Sequence, residues 1–181
     1  VGNGGAPRAS IFMGKGDKES AERTLGNCFT TQIIVSLLLT IILFTGNRSF
    51  LMAFGASENT ISYAVAYMNI YSLGTIFVQL TLGMNAFITA QGFARTGMLS
   101  VLVGAASNIM LDPVFIFVFH MGVRGAALAT IISQALSCAW VLSFLTGKKS
   151  YLKIRRCNMK LQKNIILPSL ALDFPLYHAG Q

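Results

Sequence analysis

A single acidic side chain, Asp112, interrupts the apolar stretches of this sequence. It lies in 98-MLSVLVGAASNIMLDPVFIFVF-119, four residues after Asn108 and directly before Pro113. A carboxyl group at membrane depth is costly without partners, and such groups commonly mark ion or proton paths. Asn108 shares its helix face, and Pro113 leaves the carbonyl of Ile109 without a helical donor. Three oxygen-bearing groups therefore predict a site for a proton or a small cation.

The next apolar stretch offers a hydroxyl group at a similar depth. Asp112 lies about 6 Å beyond the midpoint of its own stretch, counted at 1.5 Å per helical residue. Thr130 lies four residues before Gln134, which is near the midpoint of the following stretch. A tight turn joins the two stretches, so we expect antiparallel neighbouring helices. This arrangement predicts that Thr130 can reach Asp112, although a threonine can instead bond its own i−4 carbonyl.

The elements that must position these groups are membrane-spanning helices. Of the 181 residues, 54% are hydrophobic and 11% are charged, against about 25% charged in soluble domains. Open sheet edges cannot face lipid, and the apolar runs lack the alternation of barrel strands. The sequence therefore predicts an all-α, polytopic integral membrane protein. A span needs about 20 apolar residues, and four runs qualify, at about 25–45, 63–90, 98–119 and 123–145.

Polar segments between the runs predict where the helices begin and end. We interpret residues 1–13 as the final turns of an earlier span. Asp17 is a candidate N-cap for the helix leading into the first full span. Residues 46–59 are predicted to form a short turn, with Ser57 capping the helix that follows.

Basic residues are distributed unevenly and predict the orientation. The net charge is +8, and seven of the fourteen Lys and Arg residues lie in 148–163. Together the loops at 14–24, 91–97 and 147–163 carry eleven basic residues, whereas the opposite side carries Arg48 and Arg124. The positive-inside rule places the first set in the cytosol. A basic run directly after an apolar span favours a lipid-facing cytosolic loop over a nucleic-acid surface.

The sequence gives little support to enzymatic or metal chemistry. Cys28, Cys138 and Cys157 are scattered, with no CxxC or Cys/His spacing and no disulfide framework. Intramembrane catalysis needs at least two positioned polar groups, whereas the spans offer one acid and neither His nor Lys. We therefore predict a protein that is not an enzyme and has no cofactor or metal beyond a coupling ion at Asp112.

Four segments in order carry a resemblance to a known family: 4-GGAPRASIFMGKGD-17, 25-LGN-27, 108-NIMLDPVFIF-117 and 122-GVRGAALATIISQ-134. From residue 1 to about 163 the sequence resembles part of the amino-terminal lobe of a multidrug and toxic compound extrusion (MATE) transporter. The resemblance implies twelve helices in two lobes of six, and export of cationic or amphiphilic drugs in exchange for Na⁺ or H⁺. It also implies a multi-pass protein of the plasma (inner) membrane.

Family site residues carry over to named positions. The Asn and Asp of the family's fifth helix match Asn108 and Asp112, and the Ala and Thr of its sixth-helix motif match Ala126 and Thr130. In the family these groups help to build the cation or proton site of this lobe. The donor set suits Na⁺ and H⁺ equally, so the coupling ion stays open.

Three further polar residues lie in the second full span and are candidates for a substrate path. These are Tyr71, Gln79 and Asn85. Packing and local hydrogen bonds are the alternative interpretation for each of them.

The resemblance also predicts a domain organisation. Residues 1–145 are expected to form a partial six-helix lobe, with four full spans and the end of an earlier one. Residues 146–163 are expected to be a basic cytosolic loop between lobes, and 164–181 a truncated or divergent tail. The expected partners are membrane lipid, amphiphilic or cationic drugs and a missing second lobe of the same protein, with no nucleic acid.

Two alternatives remain to cation-coupled efflux. A related lipid-linked sugar flippase shares the broad architecture, although the Asn-x-x-x-Asp and GAALAT segments favour the MATE interpretation. A truncated membrane fragment without activity is the other alternative, because half of an ion site does not make a closed pathway.

Overall fold

The structure, a computed structural model, describes residues 2–55 and 57–173. Within these ranges the ordered elements are helices and no strand occurs. Four of the helices are long and apolar enough to cross a membrane. The prediction of an all-α, polytopic membrane protein is confirmed.

The predicted spans all fall inside observed helices. Residues 1–13, interpreted as the final turns of an earlier span, are helical from Gly2 onward. The elements in chain order are α1 (Gly2–Gly14), α2 (Lys18–Ala53), α3 (Ile61–Ala90), α4 (Ala94–Pro113), a π-helical segment (Val114–Val118), α5 (Gly122–Thr146), a 3₁₀ helix (Arg156–Met159) and α6 (Lys163–Asp173).

Helix α2 is longer than the sequence predicts. Its start agrees with the prediction, because the Asp17 carboxylate accepts a 3.0 Å hydrogen bond from the Ser20 amide. The turn predicted at 46–59 is wrong, since the helix continues to Ala53. The reason is tertiary: Asn47 is buried and its amide donates to Asn69 of α3. A residue with strong turn preference is thereby satisfied inside a helix.

The predicted capping role of Ser57 is also wrong. Helix α3 begins at Ile61, with Thr60 at the cap position and no side-chain capping bond. The Ser57 carbonyl accepts hydrogen bonds from the Thr60 and Ile61 amides, at 3.0 and 2.9 Å. Its hydroxyl lies 2.9 Å from the Thr60 hydroxyl. A backbone turn therefore precedes the helix, and the two hydroxyl groups pair with each other.

Helix α5 packs between α3 and α4, while α2 packs on the other side of α3. Small residues permit the close approaches. A Cβ atom on Gly74 would lie 2.5 Å from Cγ1 of Ile131, so α3 and α5 could not approach this closely with a larger residue. A Cβ atom on Gly104 of α4 would likewise collide with the Ser137 hydroxyl of α5. Small residues serve this purpose generally in membrane helix packing.

The loop after α5 folds back onto the helix ends. Leu152 of this loop is fully buried against a core that includes Leu25, Phe87 and Leu145. The fold thereby brings together three segments that carry eleven of the fourteen Lys and Arg residues. We call this end of the bundle, with residues 14–24, 91–97 and 147–163, the basic end.

Several buried or half-buried side chains hold that loop, and we call the contacts of Glu22, Asn27 and Gln91 with it the clasp. Asn27 accepts from the Gln162 amide at 2.7 Å and donates to the Asn158 carbonyl at 3.3 Å. Gln91 accepts from the Leu152 amide at 2.9 Å.

Glu22 completes the clasp with a charged contact. Its carboxylate, buried in α2, lies 3.3 Å from Nε of Arg155 and accepts a long bond from the Lys153 amide. The predicted inter-lobe loop is therefore an ordered part of the bundle. Of the predicted tail, 164–173 belongs to α6, and 174–181 lies outside the described residues.

Candidate cation site

Asp112 lies where α4 changes its helical form. Pro113 ends the α-helix because it has no amide hydrogen for the carbonyl four residues earlier. The chain continues as the π-helical segment Val114–Val118. Such segments are rare and frequently occur at functional sites. The sequence Asp-Pro thus places the one carboxyl group of the spans beside an irregular backbone.

Asn108 is the centre of the site. Its amide nitrogen lies 3.4 Å from Oδ1 of Asp112 and 3.5 Å from Oγ1 of Thr130. Both contacts are longer than the usual range of about 2.7–3.2 Å for such hydrogen bonds. The structure therefore brings the three predicted residues together across α4 and α5.

The arrangement differs from the predicted one in one respect. No hydrogen bond joins Thr130 directly to Asp112 among the described residues, because Asn108 lies between them. Thr130 instead donates its proton to the Ala126 carbonyl at 2.9 Å. Its oxygen lone pairs thus remain oriented toward α4, which is why it can accept from Asn108. Ala126 contributes a backbone carbonyl and a small side chain.

The site is only partly closed and its carboxylate has spare capacity. Asp112, Asn108 and Thr130 are all half-buried. Asp112 has no ion pair within the described residues, and its one hydrogen bond is long. Hard cations prefer such oxygen donors. The described residues contain no cluster of three His, Cys, Asp or Glu side chains.

The three candidates for a substrate path do not join this site. Tyr71 stacks on Tyr67 with ring centroids 5.8 Å apart. Asn85 donates to the Gly97 carbonyl at 3.2 Å, near the basic end. Gln79 is half-buried and has no hydrogen bond within the described part of the chain. Their role in substrate binding stays a prediction.

Several polar residues near the site were not predicted from the sequence to belong to it. Asn108 and Thr130 line a cavity of about 250 Å³ together with Thr81 of α3 and with Ser133, Gln134 and Ser137 of α5. A signal for them exists in the sequence. Thr130, Ser133 and Ser137 recur at helical spacing, which places their hydroxyl groups on one face of α5.

Comparisons with known proteins agree on one family. Residues 1–114 match the family described as MatE. The multidrug export protein MepA of Staphylococcus haemolyticus (strain JCSC1435) is 26% identical over 176 residues, 97% of this chain and 39% of the relative. Protein DETOXIFICATION 42 of Arabidopsis thaliana is 40% identical over 82 residues, 45% of this chain and 16% of that protein.

Solved structures show the same fold. An inward-facing multidrug resistance MATE family transporter of the MOP superfamily has a TM-score of 0.89 at 24% identity, over 94% of this chain and 39% of that one. A MATE crystal structure in the bent conformation also has a TM-score of 0.89, at 25% identity over 94% and 38%. The chain thus spans about two fifths of the length of the relatives that it matches over most of its own length.

Proposed function

This chain belongs to the MatE family, and we propose that it forms the ion-coupling helices of a multidrug efflux antiporter. The antiporter exports amphiphilic or cationic compounds in exchange for Na⁺ or H⁺. Relatives that carry the name multidrug export protein support the substrate class. The pathway is completed by a second lobe, because the chain spans 39% of such a relative. The activity is transport rather than catalysis.

One observation carries the proposal: the carboxylate of Asp112 lies in a helix long and apolar enough to cross a membrane, and among the described residues its single hydrogen bond is long. A charge in that environment is retained where it serves an ion path. Binding of Na⁺ or a proton neutralises the carboxylate. Thr130 supplies a further oxygen atom, and Asn108 supplies one when its amide group turns its oxygen toward Asp112. The Ala126 carbonyl already holds the Thr130 proton, so the Thr130 oxygen is oriented to accept or to ligate.

Coupling then requires that the ion bind one conformation better than another. A ligand shifts a conformational equilibrium only by its differential affinity for the two states. The contacts of the Asn108 amide nitrogen at 3.4 and 3.5 Å are long, so they can be exchanged for contacts of its oxygen with a bound cation when α4 and α5 move closer. The irregular segment after Pro113 gives α4 a place to bend. Rearrangement of helices around the fixed site then provides alternating access.

The protein works in the plasma (inner) membrane with its basic end in the cytosol. The three segments gathered at that end carry most of the Lys and Arg residues, and positive charge is enriched on the cytosolic side.

The test replaces Asp112 by asparagine in the complete gene product that contains this chain. Asp112→Asn keeps the shape but removes the charge, so we expect ethidium export and drug resistance to be abolished while the amount in the membrane stays unchanged. Asp17→Asn, at the exposed basic end, is the matched control and should export normally. Wild-type efflux by Asp112→Asn would contradict the proposal, and transport of a lipid-linked sugar in place of ethidium would favour the flippase alternative.

A further inference from the structure

A polar-floored groove extends from the cation site toward the basic end. It lies between α3 and α4, and α5 forms its floor. The rim is apolar, with Leu82 on α3 and Val101 on α4, whereas the floor carries the hydroxyl groups of Ser133 and Ser137. Its volume is about 250 Å³. Most of the lining is apolar, but the polar floor offers hydrogen-bond partners, and a cavity of this size with such partners has room for water molecules.

The polar groups of the groove are deeply buried and incompletely paired. Ser133 and Ser137 are 1% and 2% exposed, and they donate to the Ala129 and Ser100 carbonyls, each at 2.7 Å. Their oxygen lone pairs are left to accept. Thr81 is 5% exposed, and among the described residues its hydroxyl group has only the Cys138 thiol, a weak partner, beside it. A buried polar group that is paired so weakly indicates an unseen water molecule or ion, and in a membrane span the cost of leaving it unpaired is high.

The polar groups continue beyond the groove to the helix ends. Ser100 is fully buried and donates to the Gly97 carbonyl at 2.7 Å. Asn85 donates to the same carbonyl, and its own side-chain oxygen is buried without a partner in the described structure. Thr89, which is exposed at the basic end, donates to the Asn85 carbonyl at 3.1 Å. We call Thr81, Asn85, Ser100, Ser133 and Ser137 the polar seam.

On the other side of the cation site, away from the basic end, the π-helical segment after α4 packs directly against α5. A Cβ atom on Gly125 would lie 2.7 Å from the Phe115 carbonyl oxygen, so the two backbones are in contact there. Counted at 1.5 Å per residue, Thr130 lies about 24 Å from the end of α5 at Thr146, and Ser137 about 14 Å. The seam therefore lies in the inner half of the span, where α4 and α5 also meet closely at Gly104 and Ser137.

We propose that the polar seam is a water-filled path by which the coupling ion passes between the Asp112 site and the cytosol. This inference rests on the proposed function, since it concerns the ion that Asp112 binds. Asn108 and Thr130 line the groove, whereas Asp112 lies just beyond them. A proton that leaves the Asp112 carboxyl group therefore passes to a water molecule beside Asn108 and Thr130, which carries it into the seam as hydronium, and the carboxylate stays behind. A Na⁺ ion takes the same route with seam oxygens and water replacing its ligands.

The test measures water access with cysteine variants of the complete gene product. Ser133→Cys and Ser137→Cys place thiols in the seam. Ile132→Cys and Leu136→Cys are matched controls, one residue away on the same helix and on its exposed apolar face. A charged, membrane-impermeant methanethiosulfonate is applied to the cytosolic face in inside-out vesicles. Thiolate is the reactive form and is suppressed in apolar surroundings, so we expect the seam thiols to react at least about tenfold faster than the controls.

Two design features keep the result specific to the seam. Cys28, Cys138 and Cys157 are replaced by alanine in every variant. Ala105→Leu, at the rim of the groove, is combined with Ser133→Cys and should slow its labelling by narrowing the entrance.

Each outcome of the labelling experiment either supports or contradicts a water-filled seam. Faster labelling of both seam thiols from the cytosolic face supports the path. Labelling as slow as in the controls means a dry or occluded groove and overturns it, as does labelling from the outer face only. The measurement needs neither drug nor export. Seam labelling in a protein that exports no drug would therefore leave the path standing and count against the proposed function.

Discussion

The clasp and the cation site are both polar clusters in an apolar bundle, but only the clasp combines longer contacts of 3.3–3.4 Å with short hydrogen bonds to backbone amides of another element. In the clasp, Asn27 accepts from the Gln162 amide at 2.7 Å and Gln91 accepts from the Leu152 amide at 2.9 Å. In the cation site, both contacts of Asn108 are at least 3.4 Å. Asn27 is 1% exposed, whereas Asn108 is half-buried.

This difference indicates that the clasp stabilises the fold and that the cation site can bind a ligand. Side chains of the clasp pair with backbone groups of a loop that forms few regular hydrogen bonds of its own. Losing such a partner leaves a buried group unpaired, which costs more than the bond itself contributes. The cation site pairs three side chains loosely, so its oxygens retain capacity for an ion. We therefore expect substitutions in the clasp to affect stability and substitutions in the cation site to affect transport.

The largest expected effect comes from matched alanine substitutions of the two asparagines. Asn27→Ala leaves the Gln162 amide and the Asn158 carbonyl without a partner, so the free energy of unfolding should fall by about 3 kcal/mol. Asn108→Ala removes only long, half-buried contacts and should lower it by less than about 1 kcal/mol. Titration of the purified protein with SDS, followed by circular dichroism, measures both values.

Export measurements on Asn27→Ala and Asn108→Ala distinguish a loss of stability from a loss of transport. Asn108→Ala should impair ethidium export in vesicles that contain normal amounts of protein. Equal losses of stability in the two variants would remove the distinction between a structural and a ligand-binding cluster.

A smaller effect is expected for the charged contact of the clasp. Glu22→Gln keeps an acceptor for the Lys153 amide but loses the ion pair with Arg155, so we expect a loss of about 1 kcal/mol. Glu19→Gln breaks the exposed pair with Arg23 on the same helix and should cost less than about 0.5 kcal/mol. Limited trypsin digestion in inside-out vesicles reports how often the basic loop opens.

Only Glu22→Gln should accelerate cleavage at the loop lysines. Equal cleavage rates in the two glutamine variants would show that the loop is held without the Glu22–Arg155 contact.

The smallest effect concerns Asp17, at the start of α2. Hydrogen bonding from Ser20, helped by the charge of Arg23, holds the pKa of the Asp17 carboxyl below its usual 3.8. A carboxyl group with a depressed pKa stabilises the folded state above its usual pKa, and this contribution is lost as the pH falls through the lowered value. We expect the protection of the Ser20 amide against deuterium exchange, relative to an unstructured amide at the same pH, to fall below that pH. Asp17→Asn should show no such fall in protection, and constant protection in the unmodified protein would contradict the capping role.

The sequence was sufficient for the parts of the fold that depend on local composition. Long apolar runs can only be helices in lipid, so the spans within α2 to α5 were predictable. Asp17 followed by a helical run was a local capping signal, and it was confirmed. The turn predicted at 46–59 and the cap predicted at Ser57 were wrong, because residues 46–49 have local turn preferences that a contact with Asn69 overrides.

The cation site was likewise predictable only in part from the sequence. The spacing of Asn108 and Asp112 predicted that they share a helix face, and depth predicted that Thr130 lies opposite. The sequence could not show that Asn108 lies between Asp112 and Thr130. That position depends on the rotation of α4 relative to α5, which packing at residues such as Gly104 determines. The seam residues Ser133 and Ser137 carried a periodic signal, but a threonine or serine in a span is ordinarily satisfied by its own helix.

By itself the sequence determined that this chain is a helical membrane protein of the MatE family with one carboxyl group at membrane depth. Composition and residue order decide those properties, because lipid leaves the backbone no alternative to helices. Only the tertiary structure decided that Asn108 joins Asp112 to Thr130, and that the basic loop is clasped by Glu22 and Asn27. These contacts connect residues from different elements, so they depend on helix rotation and close packing, which no local pattern specifies.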